Sequence, residues 1–222
     1  MTAMARKRVA VLISGRGSNM AALIDAAKHD SYPAEIVLVV SNRPDAGGIA
    51  YARNAGIATT VIDHTDYRKD REAFERALQA VLEDNRIEFV CLAGFMRLFT
   101  PWLVSRWEGR MLNIHPALLP AFKGLDTHER AHAAGVKIHG ATVHFVSADM
   151  DSGPIVCQGA VAVHDDDTSE TLAARVLAVE HQIYPLALKW LAEGALRLRD
   201  GRCVIDGAIV ADGALVVPQA RC

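Results

Sequence analysis

Hydrophobic residues in the first half of the chain form short unbroken runs, each followed by a polar turn and then an amphipathic stretch. Runs that are apolar at every position are typical of strands buried on both faces of a parallel sheet. The stretches between them have helical periodicity and short connections. The pattern predicts strands at residues 9–13, 35–40, 59–63 and 89–93, with helices at 20–28, 47–54 and 67–85.

The pattern changes in the second half. A strand at residues 111–115 runs into a proline-rich loop, and residues 138–146 and 155–163 alternate apolar with polar positions, which predicts an antiparallel pair. A long helix follows from Ser169 to about Glu193, with Thr168 or Ser169 as its N-cap. The whole indicates an α/β fold: an open, mostly parallel, twisted Rossmann-like sheet with helices on both faces, plus an antiparallel C-terminal addition.

We interpret residues 1–222 as one domain, with a core at 8–195 and a peripheral tail at 196–222. The formal net charge of -2 provides no positive field for nucleic acid. No apolar stretch approaches the roughly 18 residues of a membrane span, and no signal-peptide pattern is present. The four cysteines fit free thiols in a reducing compartment. We therefore expect a soluble, cytoplasmic protein that binds neither membrane nor nucleic acid.

A glycine-rich turn, Gly15-Arg16-Gly17-Ser18-Asn19, joins the first strand to the first helix. Glycines permit close backbone approach, and a helix N-terminus offers free N–H groups and a positive dipole end, a combination suited to phosphate. The turn lacks the Lys-Ser/Thr ending of a P-loop and the third glycine of a dinucleotide fingerprint. The alternative is a tight turn in which Ser18 or Asn19 only caps the helix.

Asn113 and His115 lie two residues apart at the end of a predicted strand, so their side chains project to the same face. An amide can stabilise a developing oxyanion, and an imidazole can manage the proton of an attacking amine, as acyl transfer requires. The alternative is a structural asparagine beside a hydrogen-bonded histidine. Asp151, in a turn between strands, either forms a local Asx-turn or, if it faces His115, orients the imidazole.

The segment from Phe95 to Leu98 follows the fourth strand and either walls a pocket for a flat ring or packs ordinarily. His139 and His144, five residues apart on one strand, project to opposite faces, and the other histidines lack ligand spacing. We therefore predict no catalytic metal. No serine or cysteine has the setting of a covalent nucleophile, which favours direct transfer between two bound substrates.

Taken jointly, these motifs resemble the folate-dependent formyltransferases over nearly all of residues 8–195. The segment MLNIHPALLPAFKGLDTH (111–128) is similar to the superfamily as a whole. The glycine turn and the segment EHQIYPLALKWLAEG (180–194) resemble the branch that acts on glycinamide ribonucleotide. The resemblance implies transfer of a formyl group from 10-formyltetrahydrofolate, as co-substrate, to the amine of that ribonucleotide in purine synthesis, through a tetrahedral intermediate.

By position, the resemblance implies a catalytic set of Asn113, His115 and Asp151. It implies that the ribonucleotide is held by Gly17, Ser18, Asn19 and Glu180. It implies a folate site lined by Arg71, Phe95, Met96, Arg97, Ser147, Ala148, Asp149 and Met150. One departure is Asp126, which stands where relatives commonly have a histidine in a mobile loop, and its effect on loop closure is open.

Three other functions are alternatives to this one. A methionyl-tRNA formyltransferase normally has a further C-terminal domain and a basic surface, and a formyltetrahydrofolate deformylase usually has an extra N-terminal domain. A phosphosugar sensor with an inactive site is the non-enzymatic alternative, against which the joint presence of Asn113, His115 and Asp151 argues. The expected partners are small-molecule substrates, with the chain as a monomer or weak homodimer.

Overall fold

A seven-stranded sheet forms the centre of the protein in a computed structural model, which describes residues 5–207, 215, 217 and 218. The strand order is β3-β2-β1-β4-β5-β6-β7, with β1 to β5 parallel and β6 and β7 antiparallel. The strands are β1 Lys7–Ile13, β2 Ala34–Ser41, β3 Ala58–Val61, β4 Phe89–Leu92, β5 Met111–His115, β6 Ile138–Phe145 and β7 Ile155–Ala162.

Helices cover both faces of this sheet. They are α1 Ser18–Ala27, α2 Gly48–Asn54, α3 Arg71–Asp84, α4 Pro101–Arg106, α5 Thr127–Ala133 and α6 Ser169–Ala192. One buried cluster includes residues of α1, α2 and α6, and a second includes residues of α3 and α4 on the opposite face. The predicted fold class is confirmed, including the antiparallel addition and Thr168 as the N-cap of α6.

The strand order reverses between β1 and β4, because β2 lies on one side of β1 and β4 on the other. In open α/β sheets, ligands bind in the crevice beyond the carboxyl ends of the strands at such a switch point. The glycine turn follows β1, the segment beginning at Gly94 follows β4, and β5 lies next to β4. The topology therefore brings the candidate motifs to one edge of the sheet.

The predicted helix at 67–85 was wrong at its start. A 3₁₀ turn occupies His64–Tyr67, Arg68 has a left-handed backbone (φ 49°), and α3 begins only at Arg71. The side chain of Asp70 accepts a hydrogen bond from the N–H of Ala73 at 2.9 Å and so fixes that start. The short helices α4 and α5 were not predicted, since neither is long enough to develop a clear periodicity.

Beyond α6, β8 (Leu196–Arg199) and β9 (Arg202–Ile205) form a separate two-stranded antiparallel sheet. Leu196, Cys203 and Ile205 are partly buried against the larger cluster, so this hairpin packs on the core. The rest of the predicted tail, apart from residues 215, 217 and 218, lies outside the described residues. No helix in the described part of the chain is long and apolar enough to span a membrane.

Three of the cysteines, Cys91, Cys157 and Cys203, are free thiols, as predicted, whereas Cys222 lies outside the described residues. Burial raises the pKa of Cys91 and of Cys157 to about 12. Both thiols are therefore protonated near neutral pH and have little nucleophilic character.

Candidate active site

A cavity of about 720 Å³ opens at the carboxyl ends of β4 and β5. It is lined by residues from five separate parts of the chain. They are the segment after β4, the end of β5 and the loop after it, the start of α5, and the turn between β6 and β7, with the first turn of α6 at its rim. Ten of the predicted site residues line it: Phe95, Met96, Arg97, Asn113, His115, Ser147, Ala148, Asp149, Met150 and Asp151.

Asn113 is paired across the sheet with His144 of β6. The Nδ1 atom of His144 lies 2.8 Å from the carbonyl oxygen of Phe145, which can only accept, so Nδ1 carries the proton. Burial lowers the pKa of His144, so the ring is neutral and its Nε2 accepts a hydrogen bond from Asn113 Nδ2 at 3.2 Å. His144 thereby fixes which end of the Asn113 amide is the donor.

His115, with a side chain only 6% exposed, lies between a backbone carbonyl and a carboxylate. Its Nε2 donates to the carbonyl oxygen of Phe122 at 2.9 Å, and its Nδ1 lies 3.4 Å from Asp151 Oδ2. Both ring nitrogens face acceptors, so the site accommodates the doubly protonated imidazolium. The neutral His144, 3.8 Å from Asp151 Oδ1, makes no ion pair with that carboxylate.

The local Asx-turn interpretation of Asp151 does not match the structure. Asp151 Oδ2 accepts from the backbone N–H of Gly124 at 2.9 Å, across to the loop that follows β5. Asp151 itself has a left-handed backbone (φ 49°), a conformation that surrounding contacts must hold in place. The carboxylate therefore joins the turn between β6 and β7 to both His115 and the opposite loop.

The wall formed by the segment after β4 is apolar and partly open. Phe95 stacks on Phe99 with a centroid distance of 5.4 Å, and the Arg97 guanidinium lies over the ring of Phe74 at 5.3 Å. Met96 is 66% exposed and Met150, across the cavity, is 50% exposed. Exposed large apolar side chains around a concave site are typical of a surface that a ligand covers.

The glycine turn meets the N-terminus of α1 at Gly17. Gly17 has φ 74° and is the N-cap of α1, with no side-chain cap. A Cβ at Gly17 would lie 3.0 Å from Met20 Cε and 3.3 Å from Gly48 Cα, so the turn has little room for a side chain. The alternative, in which Ser18 or Asn19 caps the helix, is wrong, because both lie within α1.

Glu180 of α6 lies beside this turn. It accepts a hydrogen bond from Asn19 Nδ2, and burial raises the pKa of its carboxyl group. Asn19 Oδ1 is buried without a hydrogen-bond partner among the described residues.

None of Gly17, Ser18, Asn19 and Glu180 lines the large cavity. Ser14 connects the two regions: its Oγ accepts from the N–H of Met96 at 2.8 Å, and its own N–H donates to the carbonyl of Gly94 at 3.2 Å. The turn and the cavity wall are thus tied to each other at the switch point of the sheet.

Arg71, predicted for the folate site, is the exposed first residue of α3 and does not line the cavity. Its role stays a prediction.

His144 was missed as a site residue. Its signal was its position: with the predicted antiparallel pairing, it lies on the strand next to Asn113.

Within residues 5–207, no group of three or more His, Cys, Asp and Glu side chains is arranged to hold a metal ion. His139 lies beside His128, with a ring-centroid distance of 5.3 Å, whereas His144 lies beside Asn113. That no metal takes part in catalysis stays a prediction.

Residues 7–188 match the protein family described as formyl transferase, so the chain belongs to that family, and the resemblance is confirmed. In particular, the chain is 43% identical over 199 residues to phosphoribosylglycinamide formyltransferase of Escherichia coli (strain K12), covering 90% of this chain and 93% of that protein.

Two further matches agree with this family membership. A crystal structure of glycinamide ribonucleotide transformylase 1 from Symbiobacterium toebii superimposes with a TM-score of 0.87 and 44% identity, covering 90% of this chain and 94% of the other. The chain is also 52% identical over 193 residues to the trifunctional purine biosynthetic protein adenosine-3 of Bos taurus. That match covers 87% of this chain but only 19% of the larger protein.

Proposed function

We propose that this protein transfers the formyl group of 10-formyltetrahydrofolate to the amine of 5'-phosphoribosylglycinamide, giving the formylated ribonucleotide and tetrahydrofolate in purine biosynthesis. Family membership and the names of the full-length relatives support this. The observation that carries the proposal is the meeting of Asn113, His115 and Asp151 in one cavity beside the switch point of the sheet.

In this proposal the amine attacks the formyl carbon and a negative charge develops on the formyl oxygen. Asn113 Nδ2 has two hydrogens and donates one to His144, so the second is available to that oxygen. His115 contributes positive charge, but its Nε2–H is already donated to Phe122, so a bond to the reacting oxygen requires sharing or exchange of that proton.

Asp151 supports the charged form of His115 and is the group that takes up the amine proton, directly or through water. When the tetrahedral intermediate collapses, the bond from the formyl carbon to the folate nitrogen breaks, and the proton passes to that nitrogen to give tetrahydrofolate. Holding both substrates in register supplies much of the remaining acceleration. The reaction needs no covalent intermediate on the protein, which agrees with the protonated state of the buried Cys91 and the partly buried Cys157.

The ribonucleotide phosphate is assigned to the uncapped N-terminus of α1 at Gly17, Ser18 and Asn19, where the backbone N–H groups and the helix dipole attract an anion. Glu180 is assigned to the ribose, because a buried carboxylate beside the turn can accept hydroxyl hydrogen bonds. Ser14, which accepts a hydrogen bond from Met96, then connects the proposed ribonucleotide site with the cavity assigned to the folate.

The folate site is assigned to the cavity. Its volume of about 720 Å³ lies within the usual range for ligand pockets, roughly 300–1,000 Å³. Phe95, Met96 and Met150 offer apolar surface for a flat ring, and the backbone of residues 147–151 offers polar groups for its edge. We further propose a cytoplasmic protein, monomeric or weakly dimeric, whose partners are these small molecules.

The test follows folate product formation spectrophotometrically from 10-formyltetrahydrofolate, with and without the glycinamide ribonucleotide. The proposal requires product only when the ribonucleotide is present. Equal product in its absence would identify a deformylase and remove the phosphate role of the glycine turn. Tight binding of both compounds with no product in either mixture would identify a sensor.

A further inference from the structure

The segment of residues 122–126 passes alongside the His115–Asp151 pair in an unusual backbone conformation. Phe122 (φ 52°), Gly124 (φ 83°) and Asp126 (φ 54°) are all left-handed. This region is disfavoured for residues with a Cβ, and such conformations persist only where surrounding contacts determine them. The segment therefore depends on its hydrogen bonds to hold its shape.

Two of these hydrogen bonds face the cavity and reach the catalytic pair itself. The carbonyl of Phe122 accepts from His115 Nε2 at 2.9 Å, and the N–H of Gly124 donates to Asp151 Oδ2 at 2.9 Å. The orientation of the imidazole and of the carboxylate is therefore set by two neighbouring peptide groups of this segment.

Two other carbonyl groups of the segment, those of Lys123 and Leu125, are held by Arg130. Its Nη1 donates to the carbonyl of Lys123 at 2.6 Å and to that of Leu125 at 3.2 Å. Its guanidinium also lies over the ring of Phe122, 5.7 Å from the centroid. A planar guanidinium presents its donors in a fixed geometry, so it can set the direction of two carbonyls at once.

Arg130 is itself fixed by the helix that follows. Its backbone N–H donates to the carbonyl of Asp126 at 3.0 Å, in the first turn of α5. With the Lys123 and Leu125 carbonyls turned toward Arg130, the Phe122 carbonyl and the Gly124 N–H are turned toward the cavity.

We infer that Arg130 is a positioning residue for the formyl transfer. It holds residues 122–125 so that His115 and Asp151 keep their hydrogen bonds to the backbone of this segment. It contacts no catalytic side chain directly and acts through the backbone of the segment. The inference rests on the proposed function for its effect on turnover, but not for its effect on the imidazole of His115.

The first experiment compares Arg130→Ala, Arg130→Lys and the control Arg106→Ala. Arg106 makes the same kinds of contact away from the site, with Nη1 donating to the Trp102 carbonyl at 3.0 Å and its guanidinium 4.0 Å from the Trp102 ring. Arg130→Ala should lower kcat by about 10- to 100-fold, since a misplacement of about 1 Å costs on the order of 10²-fold. The KM of the ribonucleotide should change little, because the glycine turn is untouched.

Arg130→Lys retains the charge and a single donor nitrogen but not the planar fork, so it should restore part of kcat. Arg106→Ala should turn over like the wild type. Unchanged kcat in Arg130→Ala, with or without a lower melting temperature, overturns the inference, since a merely structural role would affect stability alone.

The second experiment needs no turnover and records the imidazole ¹H–¹⁵N correlations of the free protein. The Nε2 proton of His115, held by the Phe122 carbonyl, should be visible in the wild type and in Arg106→Ala and lost to solvent exchange in Arg130→Ala. The same signal in all three proteins overturns the positioning role. An inactive wild type with this loss of signal would refute the proposed function and leave the positioning role supported.

Discussion

Asn113→Ala removes a single donor at the end of β5, in the wall of the cavity. The Asn113 side chain donates to the neutral ring of His144, which holds its amide in one orientation, and its second hydrogen is the one assigned to the developing oxyanion. The change therefore isolates one element of the proposed mechanism without altering His115 or Asp151.

The expected magnitude is a loss of about 10²–10³-fold in kcat, equivalent to about 2.7–4 kcal/mol of transition-state stabilisation. Because the contact forms only as charge develops, kcat and kcat/KM should fall together, with KM nearly unchanged. The free energy of unfolding should fall by about 1 kcal/mol, since His144 loses its donor but borders a cavity that admits water.

The assay is the spectrophotometric transfer reaction with both substrates saturating, together with urea unfolding of each variant. Asn113→Asp keeps the size of the side chain but offers only acceptors, so it should be at least as impaired. Asn85→Ala is the matched control: Asn85 also makes one side-chain hydrogen bond, to the Val81 carbonyl at 2.8 Å, and lies far from the cavity at the end of α3. Turnover of Asn113→Ala close to that of Asn85→Ala would refute the oxyanion role.

Three further outcomes are expected. Gly17 has φ 74° and an added Cβ would lie 3.0 Å from Met20 Cε, so Gly17→Ala should lower the free energy of unfolding in urea by about 1–2 kcal/mol. It should raise the KM of the ribonucleotide but not of the folate, and a ribonucleotide KM equal to that of the wild type would contradict the phosphate assignment. Glu75 is 1% exposed and accepts hydrogen bonds from both the N–H and the Oγ of Thr100, so Glu75→Gln should lower the free energy of unfolding by about 1–3 kcal/mol. It should also raise the KM of the folate, because residues 95–99 loosen, and an unchanged folate KM would argue against this. Burial lowers the pKa of His139 from 6.5 to about 4, so the unfolded chain binds the proton first and stability should fall as pH drops from 6.5 toward 4. The urea midpoint should depend less on pH in His139→Gln than in the wild type, and an equal dependence would contradict this.

Much of the fold is encoded locally, and the sequence predicted it for that reason. Unbroken apolar runs such as Val9–Ile13 require burial on both sides, and three of them, with a fourth strand at residues 59–63, separated by helical stretches imply a parallel sheet. The shared face of Asn113 and His115 follows from the two-residue period of a strand, which needs no tertiary information. Where local signals were weak, as at Tyr67–Asp70, the predicted helix start was wrong.

The arrangement of the site was decided by contacts between segments distant in the chain. The register of β5 on β6 places His144 opposite Asn113, the turn between β6 and β7 brings Asp151 to His115, and packing of α6 on α1 brings Glu180 to Asn19. Each position depends on strand register and loop path, which are set by the whole core rather than by neighbouring residues. The sequence alone determined which chemical groups are present and which elements carry them. Only the tertiary structure decided which groups meet, because hydrogen bonds form over about 3 Å and no local pattern specifies a distance that short between remote segments.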